Sequence, residues 1–140
     1  MRAQADATIL AFDFGTRRIG VAIGNTLTRS ARALTTIDAR DESRRLAALD
    51  RVVHEWAPAR LVVGLPVHAD GREHAMTARA RAFAATLASR YALPVSLEDE
   101  RHTSEVARDA LAGGGRAGRS QRDEVAAQII LQAHLDKHDP

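Results

Sequence analysis

Three apolar segments, residues 8–14, 18–25 and 31–37, follow one another at the start of the chain with only short connections between them. Connections that short join antiparallel neighbours, since a parallel pair needs a crossover of about a dozen residues or more. The chain is therefore expected to open as an antiparallel meander. Beyond it the hydrophobic period changes. Leu46, Leu49, Val53 and Trp56 fall on one helical face, with Asp41 and Glu42 suited to the N-terminal end of the helix dipole and Pro58 placed to end the helix. Arg60 to Pro66 reads as a fourth strand, apolar on both faces as parallel strands are. Met76, Ala80, Phe83, Leu87 and Tyr91 mark a second helix, and Val95 to Leu97 a fifth strand. A third helix is expected from Ser104 to Leu111, broken by Gly113-Gly114-Gly115, and a last helix opens at Ser120 and carries Val125, Ile129, Ile130 and Leu135.

Three antiparallel strands followed by alternating helix and strand predict an α/β fold: a mixed five-stranded sheet, three strands antiparallel and then two parallel, flanked by helices. That is the ribonuclease H-like order. No repeat, linker or low-complexity tract interrupts the chain, so residues 8–137 are expected to form one domain after a short flexible N-terminus, 1–7. A chain of 140 residues buries a core without staples, and with no Cys neither disulfides nor thiolate metal sites arise. No apolar stretch approaches the ~20 residues of a membrane span, and Met1 to Asp6 lacks the apolar region of a signal peptide. The cytoplasm is the expected compartment.

Asp13 is the chemically telling residue. It sits inside the apolar run Ile9-Leu10-Ala11-Phe12-Asp13-Phe14, where an ionised carboxylate costs several kcal/mol unless a cation, a metal ion or a hydrogen-bonded phosphate site compensates it. An exposed Asp in a tight turn is the plain alternative, but the turn falls after it, before the second strand. Two further acids share the layout: one of Glu98-Asp99-Glu100 at the end of the fifth strand, and Asp123 in the first turn of the last helix. Phosphodiester hydrolysis with two Mg²⁺ or Mn²⁺ ions needs such an oxygen-rich cluster. Asp123 also fits a capping box with Ser120, yet it shares a helical stripe with Ala126, Ala127, Ile130 and Leu131, whereas Glu124 runs with Gln128 and Gln132 toward solvent. Strand parity puts Glu100 with Ser96 and Glu98, opposite Asp99, without choosing among the acids.

The charge is less basic than it looks. The pI of 9.9 accompanies a formal net charge of only +2, because Lys137 is the sole Lys and almost nothing titrates between neutral pH and the Arg range. Its distribution says more: Arg116, Arg119 and Arg122 lie in a glycine-rich stretch without acids, while Glu98-Asp99-Glu100 is locally negative. A basic loop beside an acidic pocket suits a polyanion held near a metal site.

These residues carry a family resemblance. Phe12-Asp13-Phe14-Gly15-Thr16-Arg17-Arg18-Ile19-Gly20-Val21-Ala22, Val63-Gly64-Leu65-Pro66 with Asp70-Gly71, Met76-Thr77-Ala78-Arg79-Ala80-Arg81, Asp99-Glu100-Arg101, and Asp123 with Ala126-Ala127 are similar to the YqgF family of pre-16S rRNA nucleases, relatives of Holliday-junction resolvases. The resemblance runs in order from Ile9 to Leu135. It implies a metal-dependent hydrolase with Asp13, Glu100 and Asp123 as catalytic residues and ligands of Mg²⁺ or Mn²⁺. Its substrate would be precursor 16S rRNA or branched DNA, held by Gly15, Thr16, Arg17, Arg101, Arg116, Arg119 and Arg122. Junction resolution would further require two sites and hence a homodimer. His68, His102 and Glu124 depart from the family pattern; the two histidines are candidates for substrate contact and proton transfer. The remaining histidines read as surface residues. Asp-x-Gly-Thr-x-x-x-Gly also resembles the phosphate turn of actin-like phosphotransferases, but those clamp nucleotide between two such lobes and this chain has length for one. A non-catalytic nucleic-acid-binding module is disfavoured because all three acids are present.

Overall fold

The computed structural model describes residues 8–68, 70–100 and 119–137. Strand β1 (Thr8–Phe14) pairs antiparallel with β2 (Arg18–Asn25), and β2 pairs antiparallel with β3 (Ser30–Asp38). On the other side of β1, β4 (Arg60–Leu65) runs parallel to it, and β5 (Val95–Asp99) parallel to β4. The sheet order is β3-β2-β1-β4-β5, the mixed five-stranded arrangement the sequence pattern predicts. Three helices are described: α1 (Glu42–Trp56), α2 (Ala75–Tyr91) and α3 (Arg119–Lys137). The helix expected over 104–111 lies outside the described residues.

Alternation along the strands divides the core in two. Leu10, Phe12, Ile19, Val21, Leu61 and Val63 face α1 and α2, where they meet Leu49, Ala80, Phe83 and Leu87. Ile9, Ala11, Ala22 and Val62 face α3, where they meet Ala127, Ile130, Leu131 and Leu135. Asp13 has the parity of Ile9 and Ala11, so its side chain belongs to the α3 face, while its neighbour Phe14 turns to the other and packs against Phe83 with ring centroids 4.8 Å apart.

Side chains on β2 facing α3 are small, and the helix comes close because of it. A Cβ added to Gly20 would stand 1.9 Å from the backbone oxygen of Asp123, and one added to Gly24 would stand 2.8 Å from Leu131 Cδ2. Backbone therefore packs on backbone at Gly20. The polar stripe of α3 does not run toward solvent as its composition led us to expect; it lies along β3. Glu124 Oε2 accepts from Thr36 Oγ1 at 3.2 Å, Gln128 Nε2 donates to Ala31 O at 3.1 Å, and Gln132 accepts from Ala31 N at 3.0 Å and donates to Arg29 O at 3.0 Å. These groups hold because i, i+4 and i+8 share one helix face and that face meets a sheet edge.

Caps set the ends of the other helices. Asp41 caps α1 by accepting from Ser43 N at 3.0 Å. His74 caps α2 through Nδ1, which accepts from Met76 N at 3.2 Å, while Thr77 Oγ1 accepts from His74 N at 3.0 Å and donates to the Pro66 carbonyl. Both helices then stop in a left-handed residue, Ala57 at φ 43° and Ala92 at φ 53°. An L-residue held there costs about 1–2 kcal/mol, which is why glycine is the usual occupant. Ala92→Gly is expected to stabilise the protein by about 0.5–1 kcal/mol, visible as a Tm about 2–4 °C higher in calorimetry. An unchanged Tm would mean that Ala92 leaves the left-handed conformation in solution.

Candidate active site

The acids are brought to one end of the sheet by register. Asp13 pairs with Gly20 across the β1–β2 ladder, and the close packing at Gly20 puts the backbone of Asp123 directly over that pair. Glu100 follows β5 and is tied in by its N–H, which donates to Leu65 O at 3.1 Å. Its carboxyl lies over Gly64, where an added Cβ would stand 2.7 Å from Oε2. Thus the carboxyl ends of β1, β4 and β5 supply the site's floor, and α3 supplies its wall.

The two sheet acids share a hydrogen bond, and both titrate high. Burial pushes the Glu100 carboxyl up to about 9, helped by the Asp13 charge, the shared hydrogen bond and nearby Asp99. Burial likewise raises Asp13, to about 6; the hydrogen bond from Glu100 opposes the shift and the charge of Asp123 adds to it. Near neutral pH, burial and mutual repulsion thus favour a proton shared within the pair over two free carboxylates. Asp123 has a different partner: Arg18 Nε donates to its Oδ2 at 2.7 Å, and both side chains are half-buried. Among the described residues no group of three or more donors is already drawn together as a metal cage. The donor set nonetheless suits a hard divalent cation, because carboxyl oxygens are its preferred ligands and the shared proton is the charge it would replace.

Gly15 sits in the turn from β1 to β2, where an added Cβ would stand 2.6 Å from Arg18 O, and Thr16 and Arg17 are exposed beside it. Their position next to Asp13 fits substrate contact. Arg101, Arg116 and His102 lie outside the described residues, as do the side chains of Arg119 and Arg122. His68 stands in the loop after β4, its ring centroid 4.8 Å from that of His74. Helical backbone begins at Arg119, one residue before Ser120.

A family model described as RuvX, Holliday junction resolvase, matches residues 7–137. The chain belongs to this family. A relative in Nitrosomonas europaea, provisionally named pre-16S rRNA nuclease, is 48% identical over 97% of this chain and 94% of its own. A Burkholderia thailandensis relative with the same name is 50% identical over 94% of this chain and 89% of its own. Among solved structures, RuvC of T. thermophilus in complex with Holliday junction substrate superposes with a TM-score of 0.58 at 17% identity, covering 94% of both chains. The Fowlpox virus resolvase bound to Holliday junction DNA gives 0.61 at 10% identity, over 93% of this chain and 97% of its own. At that identity the likeness establishes the fold, which is ribonuclease H-like.

Several residues around the site carry no sequence signal of their roles. Arg18 is one, since its partner is 105 positions away. Glu98 and His134 are others. Both are buried, Glu98 at 5% exposure and His134 at 1%, so His134 is not the surface residue its polarity led us to expect. Glu98 Oε2 meets His134 Nδ1 at 3.1 Å and Oε1 accepts from Lys137 Nζ at 2.9 Å, joining β5 to the last turn of α3. Parity alone could have linked Glu98 to the α3 face, but not to these partners.

The protonated pair has a pH consequence. Both carboxyls bind protons more tightly folded than unfolded, so their contribution is complete below about pH 4 and is lost as pH rises toward about 9. In chelator the protein is expected to lose thermal stability across that window. Asp13→Asn, which removes one charge at nearly constant shape, is expected to flatten the loss and leave an apo-protein at least as stable as wild type. A wild-type Tm that rises from pH 5 to pH 9 in chelator would contradict the shared proton.

Gly20→Ala tests the close packing. The added methyl meets backbone rather than a yielding side chain, so a loss of about 1–3 kcal/mol is expected in denaturant melts. A neutral outcome would mean that α3 sits farther from β2 in solution.

Proposed function

We propose that the chain is a metal-dependent nuclease that hydrolyses phosphodiester bonds and trims the 5′ end of precursor 16S rRNA in ribosome biogenesis. The observation that supports it most is the arrival of Asp13, Glu100 and Asp123 at one end of the sheet from three elements distant in sequence. The family and the naming of relatives at 48% and 50% identity point the same way. Asp13, Glu100 and Asp123 would hold Mg²⁺ or Mn²⁺, which supplies charge neutralisation and polarisation at phosphorus. Around that centre the chain's own groups divide the work. Asp13 and Glu100 would lose their shared proton on binding such a cation, and Arg18 orients the Asp123 carboxylate through its hydrogen bond. Gly15, Thr16 and Arg17 lie beside the acids for the scissile phosphate, and Arg101, Arg116, Arg119 and Arg122 serve its flanks as phosphate contacts, which position the substrate without reading sequence.

A second reading, resolution of four-way DNA junctions, is favoured by the description of the family model. It demands paired sites and hence a homodimer. The two are separated by offering precursor rRNA and a four-way junction side by side with Mg²⁺ or Mn²⁺, and measuring the oligomeric state under the same conditions. Cleavage of the RNA is expected, ending in chelator and falling by orders of magnitude in Asp13→Asn. Junction cleavage by a dimer, with the RNA left intact, would select the second reading. Full activity in Asp13→Asn would remove the acids from the mechanism.

A further inference from the structure

On the face of the sheet away from the acids, α1 and α2 stand apart over a cavity of about 800 Å³. Its apolar walls include Phe14, Leu46, Leu49 and Phe83, and Phe14 and Phe83 lie ring against ring with a 31° tilt. Arginines stand at its edge: Arg45 from α1, and Arg79 and Arg90 from α2, beside the carboxylate of Glu42, the one acid among the described lining residues. Arg45 reaches Glu42 at 3.6 Å and Arg90 is held by Asp50 at 2.7 Å, so Arg79 is the exposed cation with no ion pair among those described here. The volume lies in the range of small-molecule sites, and an aromatic wall beneath cationic edges is the chemistry that takes a nucleobase and its phosphate.

The cavity lies on the opposite face of the sheet from the candidate active site, and the two come nearest at one peptide of β1. Asp13 and Phe14 are consecutive in β1 and point to opposite faces, so a strand whose phosphate lies at Asp13 needs only to cross the sheet's end to reach Phe14. We infer that the α1–α2 groove receives an unpaired nucleotide flanking the scissile phosphate, its base against Phe14 and Phe83 and its phosphate on Arg79 and Arg45. This rests on the nuclease reading for what is cut, and adds that single-stranded sequence beside the cut is recognised. The combination favours this occupant over an apolar protein segment, because an aromatic wall beside the exposed Arg79 suits a base and its phosphate together.

Two labelled RNA duplexes test it, one blunt and one with a single-stranded extension beside the cleavage position. Thr86→Trp narrows the groove and Arg79→Glu reverses its free charge; both side chains are exposed, so the fold is expected to survive. Arg51→Glu, on the exposed side of α1, is the charge control. Binding by fluorescence anisotropy is measured in the Asp13→Asn background, and cleavage with Asp13 restored. The extended RNA is expected to bind more tightly than the blunt one, and Thr86→Trp and Arg79→Glu to erase that difference and raise KM about tenfold with little change in kcat, while Arg51→Glu keeps the difference. Equal affinity for the two RNAs, or a preference that survives both groove variants, would overturn the inference. Absence of cleavage by the wild-type protein would instead sink the nuclease reading, and the anisotropy comparison would still judge the groove.

Discussion

The contact of α3 with β2 at Gly20 governs the rest of the structure. Where other helices meet the sheet through side chains, here helix backbone rests on strand backbone, with room for no Cβ between them. That fixes how far Asp123 stands from Asp13, whose ladder partner is the same glycine. Each neighbouring interaction then has one geometry to satisfy: Arg18 reaches Asp123, the glutamines reach Ala31, and Glu98 ties the far end of the helix to β5. Loosening at Gly20 would spread to all of them.

The site accepts an energetic conflict in exchange for its chemistry. Two partly buried carboxyls lie side by side, and both burial and mutual repulsion disfavour ionising the pair together. Stability would be served better by an apolar pair. Packing carboxyl oxygens this close together in a partly buried pocket costs the fold stability at neutral pH, a cost that clusters of acids carry when they are not placed for stability.

Local signals made the architecture legible in the sequence. Strand lengths, the shift from period two to the helical period, Asp41 before α1 and the unbroken apolar run of β4 all act within a few residues, so the meander and the later alternation were readable, with bounds off by one or two at β3, β4 and β5. What could not be read depends on pairs far apart in the chain. The partner of Arg18, the burial of His134, its contact with Glu98 and the direction of Glu124 each follow from the rotation and depth at which α3 settles. Composition misled along the Glu124, Gln128 and Gln132 stripe, because Glu and Gln usually mean solvent and here they meet a sheet edge. The αL alanines were invisible for another reason: nothing but glycine advertises that conformation.

That stripe has a bearing on assembly. β3 is an edge strand, and an edge strand's free N–H and C=O groups are a template for any passing strand. At Ala31 both are already taken, the N–H by Gln132 and the C=O by Gln128, so two carboxamides occupy the places a sixth strand would fill. The helix thus blocks extension of the edge at Ala31. A second copy of the chain seeking to pair there would first have to displace two carboxamides of the same helix that carries Asp123, so pairing at this point and the seating of that helix are coupled.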